Sequence, residues 1–298
     1  MAARRPRRIA ENSRLLRLAS PGRSPYDAQM SLPAADPSLA DMARTLDAVA
    51  AEAGAIALRW FRPGEKTSAR TEYKHGGSPV TEADLAVDAF LAGRLKPLFP
   101  DAGWLSEETG DSDARLSRDS VIVIDPIDGT RGFAEGDPRW SVSIALVRDG
   151  RPVVGAIAAP ATGDRFVAFA GGGAWRNGER LRLPPTTRLA GGRLAGPQPS
   201  TGKVARALDM DVVPRIPSLA MRFAMVAQGA LDGALSSANS HDWDIAAADL
   251  ILHEAGGLLA GLDGARPQYN RRELKHGALA AAPATTQAEL LAAFARAQ

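Results

Sequence analysis

The chain has 298 residues, a formal net charge of +2 and no cysteine. This length can bury a sizeable core in one large domain or two smaller ones, and the lack of cysteine excludes disulfides and thiolate metal sites. No apolar run approaches the roughly 18 residues of a transmembrane helix, so we expect no membrane partner.

The positive charge is concentrated at the N-terminus. Residues 1–29 contain seven arginines and two acids, a net charge of +5, so the other residues carry −3. The mildly acidic body does not indicate a nucleic-acid partner. We expect residues 1–37 to be a disordered basic extension, or an over-long gene model with Met30 as the true start, rather than a signal or transit peptide.

The body begins with a pattern typical of two helices around a polar loop. Ser38 can cap a helix over residues 39–60, which a Pro-Gly pair would stop. Residues 64–79 are polar and contain glycine, as an exposed loop or hairpin does. Thr81 would open a second helix that runs to about Leu95.

The middle of the chain predicts an antiparallel sheet. Asp149-Gly150 and Asn177-Gly178 are hairpin turn signals, and Gly171-Gly172-Gly173 is a further turn. The predicted strands are residues 121–124, 141–147, 153–158, 165–170 and 174–175. Helices resume over residues 218–228, 242–255 and 288–297. This order indicates a layered α/β or α+β body with two sheets.

Acidic residues gather at strand ends and helix starts in four places: Asp84, Glu107-Glu108, Asp125 with Asp128, and Asp244. Taken alone, Asp84, which is at a capping-box position, and Asp244 are most simply explained as helix-capping residues. A solvated turn would explain Glu107-Glu108.

The segment Asp125-Pro126-Ile127-Asp128-Gly129-Thr130 is more informative, because its two carboxylates follow the buried strand 121–124. Gly129 and Thr130 offer backbone N–H groups to an anion. Carboxylates without paired histidines favour Mg²⁺ or Mn²⁺. The segment therefore predicts a metal-dependent phosphate site.

These motifs resemble those of the inositol monophosphatase family of magnesium-dependent, lithium-sensitive phosphomonoesterases. Related groups are 3'(2'),5'-bisphosphate nucleotidases, fructose-1,6-bisphosphatases and a class of histidinol phosphatases. The motifs are Ser78–Asp84, Ser106–Glu108, Asp125–Thr130 and Trp243-Asp244 with Glu254–Gly257. The resemblance implies a layered α/β/α/β/α sandwich of the inositol monophosphatase and fructose-1,6-bisphosphatase type. It also implies that residues 38–298 form the catalytic domain of a cytoplasmic enzyme, which would be a homodimer.

The resemblance also implies two or three Mg²⁺ ions, or Mn²⁺ in their place. Glu107, Asp125 and the carbonyl of Ile127 would hold one ion. Asp125, Asp128 and Asp244 would hold a second, with Asp125 bridging the two. Two such cations can supply a nucleophilic water and hold the leaving oxygen of a phosphate ester.

The same resemblance assigns the phosphate contacts and the water. The N–H groups of Gly129 and Thr130 would bind the phosphate. The Thr130 hydroxyl and Asp84 would orient the attacking water and help to deprotonate it. Glu107 would be a ligand of the metal ion that holds this water. The implied reaction is hydrolysis of a small phosphorylated metabolite.

The substrate is less closely indicated. Ser237 stands where inositol-phosphate enzymes often carry a glutamate, close to His241, and Arg131 follows the central motif where asparagine is commoner. Arg131, Lys74 and Arg222 could meet a second phosphate, although each is also typical of a solvated surface. A broad inositol or sugar-phosphate monoesterase is favoured, and adenosine 3',5'-bisphosphate and histidinol phosphate stay open.

Two other classes of function are kept beside this one. The protein could bind a metal or phosphate as a regulator without catalysis, or bind nucleic acid through its arginine-rich extension. Release of phosphate from a panel of monoesters would separate the first of these from an enzyme.

Overall fold

The computed structural model of the protein describes residues 37–298 except residues 75, 186 and 187. Apart from Pro37, which begins the first helix, the predicted basic extension lies outside the described residues. None of the helices among the described residues is long and apolar enough to span a bilayer.

The helices of the described residues are α1 (Pro37–Ala57), α2 (Glu82–Leu95), α3 (Thr130–Glu135), α4 (Ser200–Leu208), α5 (Leu219–Ala227), α6 (Asp242–Glu254) and α7 (Gln287–Ala297). Local sequence explains where α2 and α5 begin. The Thr81 hydroxyl accepts the N–H of Asp84 at the start of α2, and the Ser218 hydroxyl accepts the N–H of Met221 at the start of α5.

The larger sheet has seven strands in sequential order: β3 (Gly103–Ser106), β4 (Ser120–Asp128), β5 (Ser141–Arg148), β6 (Arg151–Ala159), β7 (Asp164–Phe169), β8 (Gly173–Arg176) and β9 (Glu179–Leu181). Strands β3 and β4 are parallel, and every later pair is antiparallel. The tight turns at Asp149-Gly150 and Asn177-Gly178 have positive φ at both residues, as the hairpin signal predicts.

The second sheet has five short strands, in the order β11, β10, β12, β16, β14. Their bounds are β10 (Arg193–Ala195), β11 (Asp211–Val212), β12 (Gly233–Ser236), β14 (Gly257–Gly261) and β16 (Leu279–Pro283). Two small antiparallel pairs complete the strands: β1 (Thr71–Tyr73) with β2 (Pro79–Thr81), and β13 (Ser240–His241) with β15 (Lys275–His276).

The elements stack in five layers, and three apolar cores fill the spaces between them. Helices α1 and α2 cover the outer face of the seven-stranded sheet. Helices α5 and α6 lie between the two sheets. Helices α4 and α7 cover the outer face of the five-stranded sheet. The predicted α/β/α/β/α class, with two sheets, is confirmed.

Three local predictions need correction. The first helix begins at Pro37 and ends at Ala57, not Trp60, so Ser38 lies inside it. The central strand does not end at Ile124 but continues to Asp128. The prediction also missed α4 and the strands of the second sheet, because strands of two to five residues rich in alanine and glycine carry little periodic signal.

Candidate active site

A β-bulge brings Asp125 and Asp128 to one side of strand β4. Residues three apart on a regular strand point to opposite faces. Here Asp125 pairs with Ser143 and Asp128 with Ser141, so β4 contains one residue more than β5 in this interval. The extra residue brings both carboxylates to the same face. Pro126 is tolerated in the strand because a bulge does not need its N–H for the ladder.

Strand β3 brings Glu107 to the same edge of the sheet. Parallel strands β3 and β4 end side by side, and the Glu107 N–H donates to the carbonyl of Ile124 over 3.2 Å. The ammonium group of Lys74 donates a hydrogen bond to the carboxylate of Glu107 at 2.9 Å and another to the carboxylate of Glu108 at 2.8 Å. Lys74 therefore neutralises part of the acidic charge at this edge.

Helix α6 delivers the next carboxylate. Asp244 lies in the first turn of α6, where its Oδ2 accepts the backbone N–H of His241 at 2.6 Å. The positive end of the helix dipole favours an acid there. Ligand oxygens of Asp125, Asp128 and Asp244 lie within 4.8 Å of one another. We call these three residues the carboxylate triad.

Asp128 is fixed by the N-terminus of α5. Its Oδ2 accepts the Ser218 hydroxyl at 2.5 Å and the N–H of Ala220 at 2.7 Å, and its Oδ1 accepts the N–H of Leu219 at 3.2 Å. A carboxylate at a helix N-terminus satisfies N–H groups that have no partner within the helix. Gly129, with φ +90°, keeps this approach close, because a Cβ there would lie 2.9 Å from the Ser218 nitrogen.

Asp84 and Thr130 form a buried polar pair beside the triad. Asp84 Oδ2 accepts both the N–H and the hydroxyl of Thr81, at 2.7 and 2.6 Å. The Thr130 hydroxyl lies 3.1 Å from Asp84 Oδ1 and 2.8 Å from the carbonyl oxygen of Ile127. The hydroxyl has a single proton for two acceptors. A protonated Asp84 could donate to Thr130, whereas an ionised Asp84 competes for the Thr130 proton.

Burial and mutual repulsion make this cluster costly to ionise without a cation. Burial raises the pKa of Asp128 to about 7, and the charge of Asp244 acts in the same direction. Burial, then Glu107 and Asp128, raises the pKa of Asp125 well above its usual range. Burial also raises the pKa of Asp84 to about 6.

The donor set of the triad fits a divalent cation. Asp125 is 1% exposed, and its Oδ1 is buried without a hydrogen-bond partner among the described residues. An unpartnered buried carboxylate oxygen is costly. Hard oxygen ligands from several carboxylates suit Mg²⁺, Mn²⁺ or Ca²⁺. A bound cation would satisfy Asp125 Oδ1 and remove the repulsion within the triad.

These pKa shifts predict how the stability of the metal-free protein depends on pH. An unfolded aspartate titrates near 3.9, whereas Asp128 and Asp84 titrate at about 7 and about 6 in the fold. Their contribution to stability is full below the unfolded value and is lost as pH rises through the folded values. We expect the melting temperature in EDTA to fall between about pH 4 and 7. Asp128→Asn or saturating Mg²⁺ should flatten this slope, and a melting temperature that rises over the window would contradict the assignment.

The structure separates the three predicted substrate residues. Ser237 lines a cavity of about 580 Å³ that also reaches Asp244. The ring of His241 stacks on Trp243 at 4.5 Å, and its Nδ1 lies 3.8 Å from Asp244 Oδ2. Arg131 is exposed and lines a different cleft, 3.4 Å from the carbonyl oxygen of Gly77. The substrate roles of all three residues stay predictions.

The sequence does not predict the contacts that two residues, Ser218 and Lys74, make in the site. Ser218 was predicted only as a helix start, yet it donates to Asp128 across 90 positions of sequence. The sequence indicates Lys74 as a contact for a second phosphate, whereas in the structure Lys74 pairs with Glu107 and Glu108. Neither partnership has a local sequence signal, because both depend on elements that meet only in the fold.

Comparisons with known proteins agree with this geometry. The family model "Inositol monophosphatase family" matches residues 38–298. An inositol-1-monophosphatase of Mesorhizobium japonicum is 33% identical over 72% of this chain and 84% of its own length. A 3'(2'),5'-bisphosphate nucleotidase CysQ of Aggregatibacter actinomycetemcomitans is 33% identical over 69% of this chain and 80% of its own.

A solved structure shows the same fold. The extragenic suppressor protein suhB from Bartonella henselae superposes with a TM-score of 0.75 at 28% identity, covering 86% of this chain and 98% of that protein. The chain therefore belongs to the inositol monophosphatase family, whose members are phosphatases that act on phosphate monoesters and use divalent metal ions.

Proposed function

We propose that the protein hydrolyses a small phosphate monoester in a Mg²⁺-dependent reaction. One observation carries the proposal: the carboxylates of Asp125, Asp128 and Asp244 converge beside the Asp84–Thr130 pair, and Asp125 Oδ1 is buried without a hydrogen-bond partner among the described residues. Inositol and sugar phosphates are the first substrate class to test, and nucleoside bisphosphates the second. A cytoplasmic location, a homodimer and lithium sensitivity are proposed on the family likeness alone.

The triad would hold the cation, with Glu107 as a further ligand once Lys74 yields to it. When bound, Mg²⁺ supplies positive charge that stabilises developing negative charge and acidifies water. The remaining work falls to the protein's own groups. The first turn of α3, which begins at Gly129 and Thr130, would direct backbone N–H groups at the phosphate.

Asp84 and Thr130 would act on the attacking water. Ionised Asp84 accepts the proton of the Thr130 hydroxyl, so the Thr130 oxygen becomes an acceptor for a water proton. Thr81 fixes the Asp84 carboxylate through two hydrogen bonds, so the pair is oriented before the substrate binds. Burial of the pair keeps bulk water from competing for these contacts.

Removal of metal tests the proposal. We expect the purified protein to release phosphate from at least one of myo-inositol 1-phosphate, adenosine 3',5'-bisphosphate, histidinol phosphate and fructose 1,6-bisphosphate with Mg²⁺. Excess EDTA should abolish release, and added Mg²⁺ should restore it. Mg²⁺ should also raise the melting temperature, because a ligand that binds the folded state stabilises it.

Two results would refute the proposal. Undiminished turnover in EDTA would exclude the metal-dependent mechanism. A rise in melting temperature with Mg²⁺, without phosphate release from any of the four substrates, would favour a non-catalytic binding protein instead.

A further inference from the structure

The cavity of about 580 Å³ beside the triad is lined by two arginines, and we take it as the place where the leaving group of the proposed phosphate ester would lie. Its positively charged lining residues are Arg215 and Arg222. Of the described residues that line it, Asp244 is the only acid. Asp244 belongs to the triad, so a bound metal would use its charge. The wall facing the leaving group then presents two arginines without an acid of its own.

Arg222 is held rigidly in this wall. Its Nη1 donates to the carbonyl oxygen of Leu235 at 2.9 Å, and its Nη2 donates to that of Ile216 at 2.8 Å. Its Nε is buried without a hydrogen-bond partner, and Arg222 forms no salt bridge with any residue that the structure describes. Neutral carbonyls thus orient the guanidinium but do not neutralise its charge.

Arg215 adds a second positive charge to the same cavity. It is exposed and forms no salt bridge within the described residues. Burial lowers the pKa of Arg222 to about 10, and the nearby charge of Arg215 acts in the same direction. Asp128 opposes this shift, but its carboxylate already accepts three hydrogen bonds from Ser218 and the start of α5.

We propose that Arg222, assisted by Arg215, is a specificity-determining residue that binds a second anionic group on the substrate. The group is a phosphate or a carboxylate on the part of the molecule that remains after phosphate release. This inference rests on the proposed phosphatase function, because the triad must hold the scissile phosphate for the leaving group to enter the cavity. An anionic group of the substrate would contact a guanidinium that is buried and already oriented, an arrangement that suits the recognition of phosphate or carboxylate.

Two matched pairs of substrates isolate the second anion. Adenosine 3',5'-bisphosphate and adenosine 3'-phosphate differ by one phosphate, and 2-phosphoglycerate and glycerol 2-phosphate differ by one carboxylate. We expect wild-type protein with Mg²⁺ to prefer the doubly anionic member of at least one pair in kcat/KM. The pair that shows the larger preference identifies the second group as phosphate or carboxylate.

Variants test the residue itself. Arg222→Gln should lower kcat/KM for the preferred substrate about 10- to 100-fold, mainly by raising KM. It should lower kcat/KM for the singly anionic substrate of the same pair much less. Arg222→Lys should restore part of the preference. Arg215→Gln should weaken the preference without removing a backbone contact of Arg222. Arg206 is exposed and lies in α4 outside the cavity. Arg206→Gln is therefore the matched control, and it should leave kcat/KM unchanged for both substrates.

The outcomes separate this inference from the phosphatase proposal. Equal kcat/KM of wild type for the two members of each pair overturns the inference and leaves the phosphatase proposal intact. The same holds if Arg222→Gln lowers kcat/KM equally for both members and Arg215→Gln has no effect. If no substrate is hydrolysed, the test is calorimetry with both substrate pairs and Mg²⁺. Tighter binding of the doubly anionic member of either pair by wild type, lost in Arg222→Gln, supports the anion site. Equal or absent binding in both pairs refutes it.

Discussion

Asp125→Asn is expected to reduce kcat at least ~10³-fold, because the change removes a negative ligand from the triad. A bound cation supplies several kcal/mol of transition-state stabilisation, and each 1.36 kcal/mol is a factor of ten in rate. The metal-free variant should nevertheless be more stable than wild type. Asparagine keeps the shape of the side chain but removes a carboxyl that burial, Glu107 and Asp128 make costly to ionise in the fold. Its melting temperature in EDTA should rise by at least about 2 °C.

The opposite directions of these two effects make the prediction specific. Asp47→Asn is the matched control, because Asp47 is a buried aspartate of α1 that pairs with Arg165 of β7 and is not part of the triad. That variant should lose stability and keep its kcat. An Asp125→Asn enzyme with full activity, or one that is both inactive and unfolded, would contradict the assigned role.

Asp84→Asn is expected to lower kcat ~10²- to 10⁴-fold, the usual contribution of a general acid or base. Asparagine can still accept the two hydrogen bonds from Thr81, so the start of α2 should survive. It cannot take a proton from Thr130. Steady-state rates at neutral pH should show the loss, with circular dichroism unchanged.

The pH profile adds a second readout for Asp84. A base must be ionised, so log kcat of wild type should rise with pH up to the pKa of Asp84, which is about 6 without metal and lower beside a bound cation. Asp84→Asn should lose this rising limb. Glu82→Gln is the matched control, because Glu82 is an exposed acid in the same helical turn. Loss of the limb in Glu82→Gln, or its retention in Asp84→Asn, would assign the base elsewhere.

The sequence predicts local features of the fold well. The capped start of α2 and the turns Asp149-Gly150 and Asn177-Gly178 depend on residues within a few positions of one another. Hydrophobic patterning adds the antiparallel sheet and the layered class. The family resemblance supplied the expectation that acids from four segments meet, and the structure brings Asp125, Asp128 and Asp244 together.

Other features lie beyond local sequence reasoning. The bulge between Asp125 and Asp128 is set by pairing with β5, and a simple two-residue period would put these acids on opposite faces. The Lys74 ion pairs and the Ser218–Asp128 hydrogen bond join segments 33 to 90 positions apart. Such contacts depend on how strands and helices pack, and no spacing rule along the chain encodes them.

The attachment of Asp128 to the first turn of α5 has a consequence for how the triad and the neighbouring cavity are linked. Three hydrogen bonds anchor the start of the helix to the reaction centre through Ser218, Leu219 and Ala220. One turn further on, the side chain of Arg222 lines the cavity beside the triad. The same short helix, α5, therefore both fixes a carboxylate of the triad and forms part of the cavity wall. Any displacement of α5 would move the carboxylate and the cavity wall together, so the two are mechanically coupled.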